Sequence, residues 1–160
     1  MNNNDLLNLI YPPQWVSKLL HIYISGAQSY NNHGIKTELI YLTLPLLTID
    51  EIRDRLNHAN KTTTFNLIFE DSVVPNKQHF TNFPQKIESF IDITNEGLIV
   101  LNADVSVTFC DYITVSKLTK HTKINDEINA DYYKAAYYLG LILAKSNHSN
   151  IFMKLGVVPA

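Results

Sequence analysis

Apolar and polar positions along the chain divide it into segments of different period. After Pro12-Pro13, Val16, Leu19, Leu20, Tyr23, Ala27 and Tyr30 recur at steps of three and four residues. This marks one apolar face of a helix, and proline suits a first helical turn, where its missing N–H would have no partner. Asn31-Asn32-His33-Gly34 ends the pattern, with Gly34 suited to a left-handed cap. Leu39 to Leu47 is apolar except at Thr43 and predicts a helix disturbed at Pro45. Thr48-Ile49-Asp50-Glu51 has the spacing of a capping box ahead of a short helix with Ile49, Ile52 and Leu56 on one face. Helix, break and helix together predict a helix-turn-helix pair.

Residues 61–79 show no dominant period. A helical step returns at Ile87, Phe90, Ile91, Thr94 and Leu98. Val105, Val107 and Phe109 then alternate with Ser106 and Thr108, which predicts a strand, and Asn102-Ala103-Asp104 sits where a hairpin turn would. A helix leading into a hairpin is what a winged helix requires. The pattern therefore predicts an α+β fold, mainly α-helical, with a winged-helix-like core, a small β-hairpin and a buried C-terminal helix. A generic α+β domain is the alternative.

The stretch from Asp131 differs in kind. Ala136, Gly140 and Ala144 recur every four residues, so one face carries nothing larger than a methyl group. Tyr133, Tyr137, Leu139, Leu141, Ile142 and Leu143 cover the rest. A helix apolar nearly all round must be covered on all sides, by its own domain or in part by a partner. Phe152 and Leu155, with Ile151, repeat the question in the following stub. Phe152, Leu155, Tyr137 and Leu141 are the candidate partner contacts, and Ala136, Gly140 and Ala144 the candidates for close helix packing.

Composition narrows the class. The 160 residues predict one domain, with residues 1–5 disordered and 131–160 as a candidate interface. A hydrophobic content of 46 % supports a real core and excludes a disordered chain. A net charge of −2 predicts no global attraction to nucleic acid. The single cysteine, Cys110, excludes an internal disulfide and predicts a reducing compartment. The Asn-rich start lacks a basic segment before its short apolar run, and the longest apolar run, Ala135 to Ala144, falls well short of the roughly 20 residues of a membrane span. A soluble cytoplasmic protein is expected.

Candidate chemistry is sparse. His21, His33, His58, His79, His121 and His148 have no ligand spacing, and no metal or cofactor is expected. Cys110 lacks a recognisable base or glycine elbow and reads as a buried small hydrophobe. Glu70-Asp71 and Asp126-Glu127 are adjacent acids, which does not make them convergent. No phosphate-binding glycine pattern occurs, and no small-molecule substrate is expected. Lys117, Lys120 and Lys123, in "SKLTKHTK", are the candidate nucleic-acid contacts, in a segment that otherwise reads as an exposed connection.

Three stretches together resemble a known family. Lys134, Ala135, Leu139, Gly140, Ala144, Leu155, Gly156, Val157 and Pro159 hold the places of the C-terminal signature of the middle components of bacterial three-component ABC systems. "ELIYLTLPLL" from Glu38 is similar to the family's Leu-Pro segment, and "TNEGLIVL" from Thr94 to its Glu-Gly-Leu helix end. Tyr11-Pro12-Pro13 replaces the usual Asn-Pro, and residues 61–80 match nothing in the pattern. The resemblance implies a non-enzymatic accessory subunit of an anti-phage or anti-plasmid defence complex, related to the Lamassu type. It would bridge a coiled-coil ABC ATPase of the structural-maintenance-of-chromosomes (SMC) type and an effector, with DNA reached through the complex.

The alternative is a stand-alone winged-helix DNA-binding regulator. Its recognition helix would carry Arg53, Arg55 and Asn57, but also Asp50, Glu51 and Asp54. That balance disfavours autonomous DNA binding. An enzyme is not expected.

Overall fold

A computed structural model describes residues 3–69 and 80–157. Its helices are α1 (Asn3–Ile10), α2 (Pro13–Tyr30), α3 (Thr43–Leu47), α4 (Asp50–Asn57), α5 (Phe65–Phe69), α6 (Phe83–Asp104), α7 (Ala130–Lys145) and α8 (His148–Leu155). Three short strands, β1 (Ile35–Lys36), β2 (Val107–Phe109) and β3 (Tyr112–Val115), form an antiparallel sheet in the order β1-β3-β2. Ile35 opposes Ile113, and Val107 opposes Val115. The fold is mainly α-helical with a small antiparallel sheet.

The core is built around α2 and α7. The sequence marks one apolar face on α2, yet Leu19, Leu20 and every residue from Ile22 to Ala27 are buried. α7 packs most extensively on α2 and next on α4, while α6 covers another side of α2. The Tyr23 hydroxyl, buried among them, donates to the Leu39 carbonyl at 2.7 Å. A buried hydroxyl needs such a partner, since leaving it unsatisfied costs about 1–3 kcal/mol. Burial also raises the Tyr23 pKa, so the group stays protonated. Ser25, equally buried, accepts from the Thr119 N–H at 3.0 Å and ties residues 116–120 to α2.

Several local expectations change. Asn31, not Gly34, closes α2; Gly34, at φ +85°, forms the turn into β1. Thr37–Leu42 is a 3-10 helix that becomes α-helical at Thr43, so the irregularity precedes Pro45. Pro45 falls in the first turn of α3, where no N–H is needed. The capping box does not form. The Thr48 hydroxyl donates to the Leu44 and Pro45 carbonyls, closing α3 rather than opening α4. α6 runs through Asp104, so Asn102-Ala103-Asp104 is its last turn and not a hairpin turn. The hairpin turns at Cys110-Asp111, and Asn102 Oδ1 instead accepts from the Val107 N–H at 3.0 Å. Cys110 is consequently exposed and not a core residue. Asn3 to Asp5, expected as disordered, start α1; Glu70-Asp71, His79 and Pro159 lie outside the described residues.

Candidate interaction surfaces

The small-residue face of α7 meets a matching one on α2. A Cβ on Gly140 would lie 1.9 Å from the Tyr23 carbonyl oxygen, and one on Gly26 would lie 2.0 Å from the Tyr137 carbonyl oxygen. Each glycine thus admits the other helix's backbone, and Ala136 is fully buried beside them, with Ala144 half-buried. The complementary Ser25-Gly26-Ala27 was visible in the sequence as a small-residue triplet inside an apolar helix.

The four residues expected to contact a partner are covered by this chain itself. Tyr137 and Leu141 lie inside the α7 contacts, Phe152 is buried, and Leu155 is completely so. α8 is a properly closed helix. Asn147 caps its start, accepting from the Ser149 N–H at 2.9 Å. Gly156, at φ +71°, ends it; the Val157 N–H donates to the Phe152 carbonyl and the Gly156 N–H to that of Met153. This pair of bonds is a Schellman ending, which requires the left-handed conformation glycine adopts without strain. The terminal Leu-Gly-Val motif is therefore a folding feature: Leu155 enters the core and Gly156 turns the chain.

Apart from Met153 on α8, exposed apolar surface among the described residues lies elsewhere. A groove of about 310 Å³ runs between the 3-10 segment, α6 and the hairpin, lined by Ile40, Tyr41, Leu98, Ile99, Phe109 and Ile113. Ile99 is 71 % exposed and Phe109 49 %. The Tyr41 hydroxyl donates to Asn95 Oδ1 at 2.8 Å across the groove. Sequence reasoning passed over this site. Its signal was Ile99, an apolar residue one position off the face that Phe90, Thr94 and Leu98 share on α6. Leu6, Leu9 and Ile10 add a second exposed apolar face on α1.

Lys117, Lys120 and Lys123 are all exposed on one strap. His21 bonds the Lys117 carbonyl through Nε2 at 2.7 Å, and the Val115 N–H donates to Gln28 Oε1 at 2.7 Å. The strap then seats the His121 ring against Tyr137 and Tyr138, with centroids 5.4 and 5.8 Å away. Burial lowers the His121 pKa, and Lys134 and Lys120 lower it further.

Many polar groups are occupied in holding the fold. Arg53 donates to Asp131 at 3.1 Å, Asp50 at 2.8 Å and the Leu47 carbonyl at 2.9 Å, and its guanidinium lies 4.2 Å from the Tyr132 ring centre. It joins α4 to α7 and is withdrawn from any recognition role. Asp126 accepts from the Asn129 amide and the Tyr133 hydroxyl, bonds that lower its pKa; burial and this carboxylate push Tyr133 up to about 12. Among the described residues, no three His, Cys, Asp or Glu gather as a metal site, and no helix is long and apolar enough to cross a membrane.

The fold is a small, mainly helical one that carries an apolar groove and a lysine-bearing strap on its surface. The chain matches the ABC-three component (ABC-3C) system Middle Component 3 family over residues 2–159, and it belongs to that family. Its partners are thus other components of such a system. No curated protein and no solved structure matches it.

Proposed function

We propose that this chain is the non-enzymatic accessory subunit of an anti-phage or anti-plasmid defence complex. It bridges an SMC-like ABC ATPase and an effector, as in systems of the Lamassu type. One observation carries the reading: a component of a multi-protein system presents an apolar groove at Leu98, Ile99 and Phe109 that stands open among the described residues. Apolar surface gathered in a concave patch and rimmed by polar groups is typical of protein interfaces. The groove is assigned to the ATPase component. The strand order and the passage from α6 directly into the β2–β3 hairpin support a winged-helix-like core. The use of Arg53, Asp126 and His21 in structural bonds supports a non-enzymatic role.

Co-expression with the products of the neighbouring genes, followed by pull-down, tests this. The native chain should capture the ATPase component. Ile99→Asp with Phe109→Asp should weaken capture at least tenfold while leaving the circular dichroism spectrum and melting temperature unchanged. Undiminished capture by a folded double variant would remove the groove from the interface. Failure of the native chain to capture any neighbouring component would overturn the whole reading.

A further inference from the structure

We propose that the strap around Lys117, Lys120 and Lys123, together with Lys18 of α2 and Lys134 of α7, is a docking surface for the phosphate backbone of duplex DNA. The sequence places three of these lysines in one run; the fold adds the other two. The hydrogen bond from His21 to the Lys117 carbonyl lays the strap over α2 one helical turn from Lys18. The packing of His121 on Tyr137 and Tyr138 lays its other end over α7, where Lys134 and Lys120 both act on the His121 ring. Lys18, Lys117, Lys120 and Lys123 are exposed and Lys134 is half-buried. Among the described residues, none of the five is in an ion pair; both ion pairs found there belong to Arg53. Neighbouring acids are engaged in part: Asp126 with Asn129 and Tyr133, Asp131 with Arg53. Glu127 flanks the strap. The strap and the two helices it crosses therefore set five lysines against the Asp126 and Glu127 carboxylates and an Asp131 already paired with Arg53.

The residue types select the partner. Lysine is depleted at protein–protein interfaces and arginine enriched, yet this surface holds lysine and no arginine. Lysine is a point charge that binds phosphate without the paired geometry used to read guanine. Ser116, Thr119 and Thr122 interleave hydroxyls of the kind that contact phosphate oxygens. Single-stranded nucleic acid calls for an exposed aromatic platform, and here the His121, Tyr137 and Tyr138 rings pack on one another. A membrane surface calls for a helix with a broad apolar face, whereas the strap offers Leu118 on a short irregular segment. What remains is the outside of a duplex, held without base readout. The recognition-helix reading differs: it needs the α4 arginines, and Arg53 is already bound.

Fluorescence anisotropy of the full chain with a labelled 20-base-pair duplex of arbitrary sequence, across a salt series, tests the assignment. Five phosphate contacts predict a slope of log Kobs against log salt of about −4.5, since each contributes about −0.9. Lys18→Ala and Lys134→Ala, distant in sequence from the strap, should each reduce the slope by about 0.9. Lys117→Ala, Lys120→Ala and Lys123→Ala should do the same, while Lys36→Ala and Lys61→Ala leave it unchanged. Melting curves confirm that each variant is folded. No binding at about 50 mM salt, or a slope indifferent to Lys18 and Lys134, overturns the proposal. So does tighter binding to single-stranded DNA or to phosphatidylserine vesicles than to the duplex. Pull-down of the ATPase component is read separately, so loss of the DNA surface leaves the subunit assignment standing, and the reverse.

Discussion

The two helices α6 and α7 use their apolar residues in opposite ways. α7 is apolar nearly all round, which calls for cover on every side, and its apolar residues are enclosed by α2, α4 and their neighbours. α6 carries an ordinary amphipathic pattern and suggests a finished surface helix, yet it leaves Ile99 open beside Phe109. Total hydrophobicity reports how deep a helix lies. Partner contact is reported by an apolar residue standing off the face that the helix's own fold consumes. The difference is physical: α7 has small residues where α2 approaches, so it can be surrounded, whereas nothing among the described residues covers the Ile99 side of α6.

The strongest way to break this contrast is to spoil the approach that lets α7 be enclosed. Gly140→Leu would drive a side chain into the Tyr23 backbone, where even a Cβ lies 1.9 Å from the carbonyl oxygen. Backbone cannot yield as a side-chain tip does, so the expected loss exceeds the about 1–3 kcal/mol of ordinary overpacking. Set against a total stability of about 5–15 kcal/mol, it should abolish cooperative unfolding. A native-like melting transition in this variant would show that α7 is not held against α2.

α8 comes next. Leu155→Asp places an unpaired charge where the native side chain is completely buried and should cost about 4 kcal/mol; Phe152→Ala should cost about 3 kcal/mol through the cavity it leaves. Chemical denaturation measures both. Ile99→Asp, by contrast, should change stability by less than about 0.5 kcal/mol, as surface substitutions do. If Leu155→Asp proved neutral for stability while Ile99→Asp unfolded the chain, inside and outside would be exchanged between the two helices.

Sequence periodicity located α2, α6 and α7 because each has enough residues for a face to repeat. The Ala136-Gly140-Ala144 stripe identified close packing, but not that Gly26 was its counterpart, because the match requires knowing that α2 and α7 are neighbours. The hairpin was placed too early. Asn102-Ala103-Asp104 has turn composition, but hydrogen bonds along α6 and its tertiary packing outweigh that local preference, and the alternation of Val107 and Phe109 begins only after the helix is closed. Thr48 followed the same logic: its hydroxyl had two uses, and the nearer carbonyls of α3 won. Phe152 and Leu155 are enclosed by the chain's own fold, which the sequence could not show, since an apolar stub looks identical whether it is capped into its own core or left for another protein. The basic run was visible, but not its extension to Lys18 and Lys134, which exists only where the strap crosses two helices.

The smallest effect sharpens the comparison at the side of α7 covered by the strap rather than by a helix. There the His121 ring lies against Tyr137 and Tyr138, and burial, then Lys134 and Lys120, lower its pKa below the ordinary 6.5. A group whose folded pKa is depressed binds fewer protons folded than unfolded, so stability is retained above the unfolded value and lost as pH falls through 6.5 and on through the folded value. The Asp126 carboxylate, whose pKa is also lowered, acts in the same sense but only near its own ordinary value of 3.8 and below, outside this window. The melting temperature should therefore decline between pH 7.5 and 5.5, and His121→Phe, which keeps a ring in place without a titrating nitrogen, should flatten part of that decline. A flattened profile means that the strap is seated on α7 in solution and closes the helix's remaining side. An unchanged profile means that the Tyr137–Tyr138 edge stands open, and α7, like α6, then has apolar surface for another component to cover.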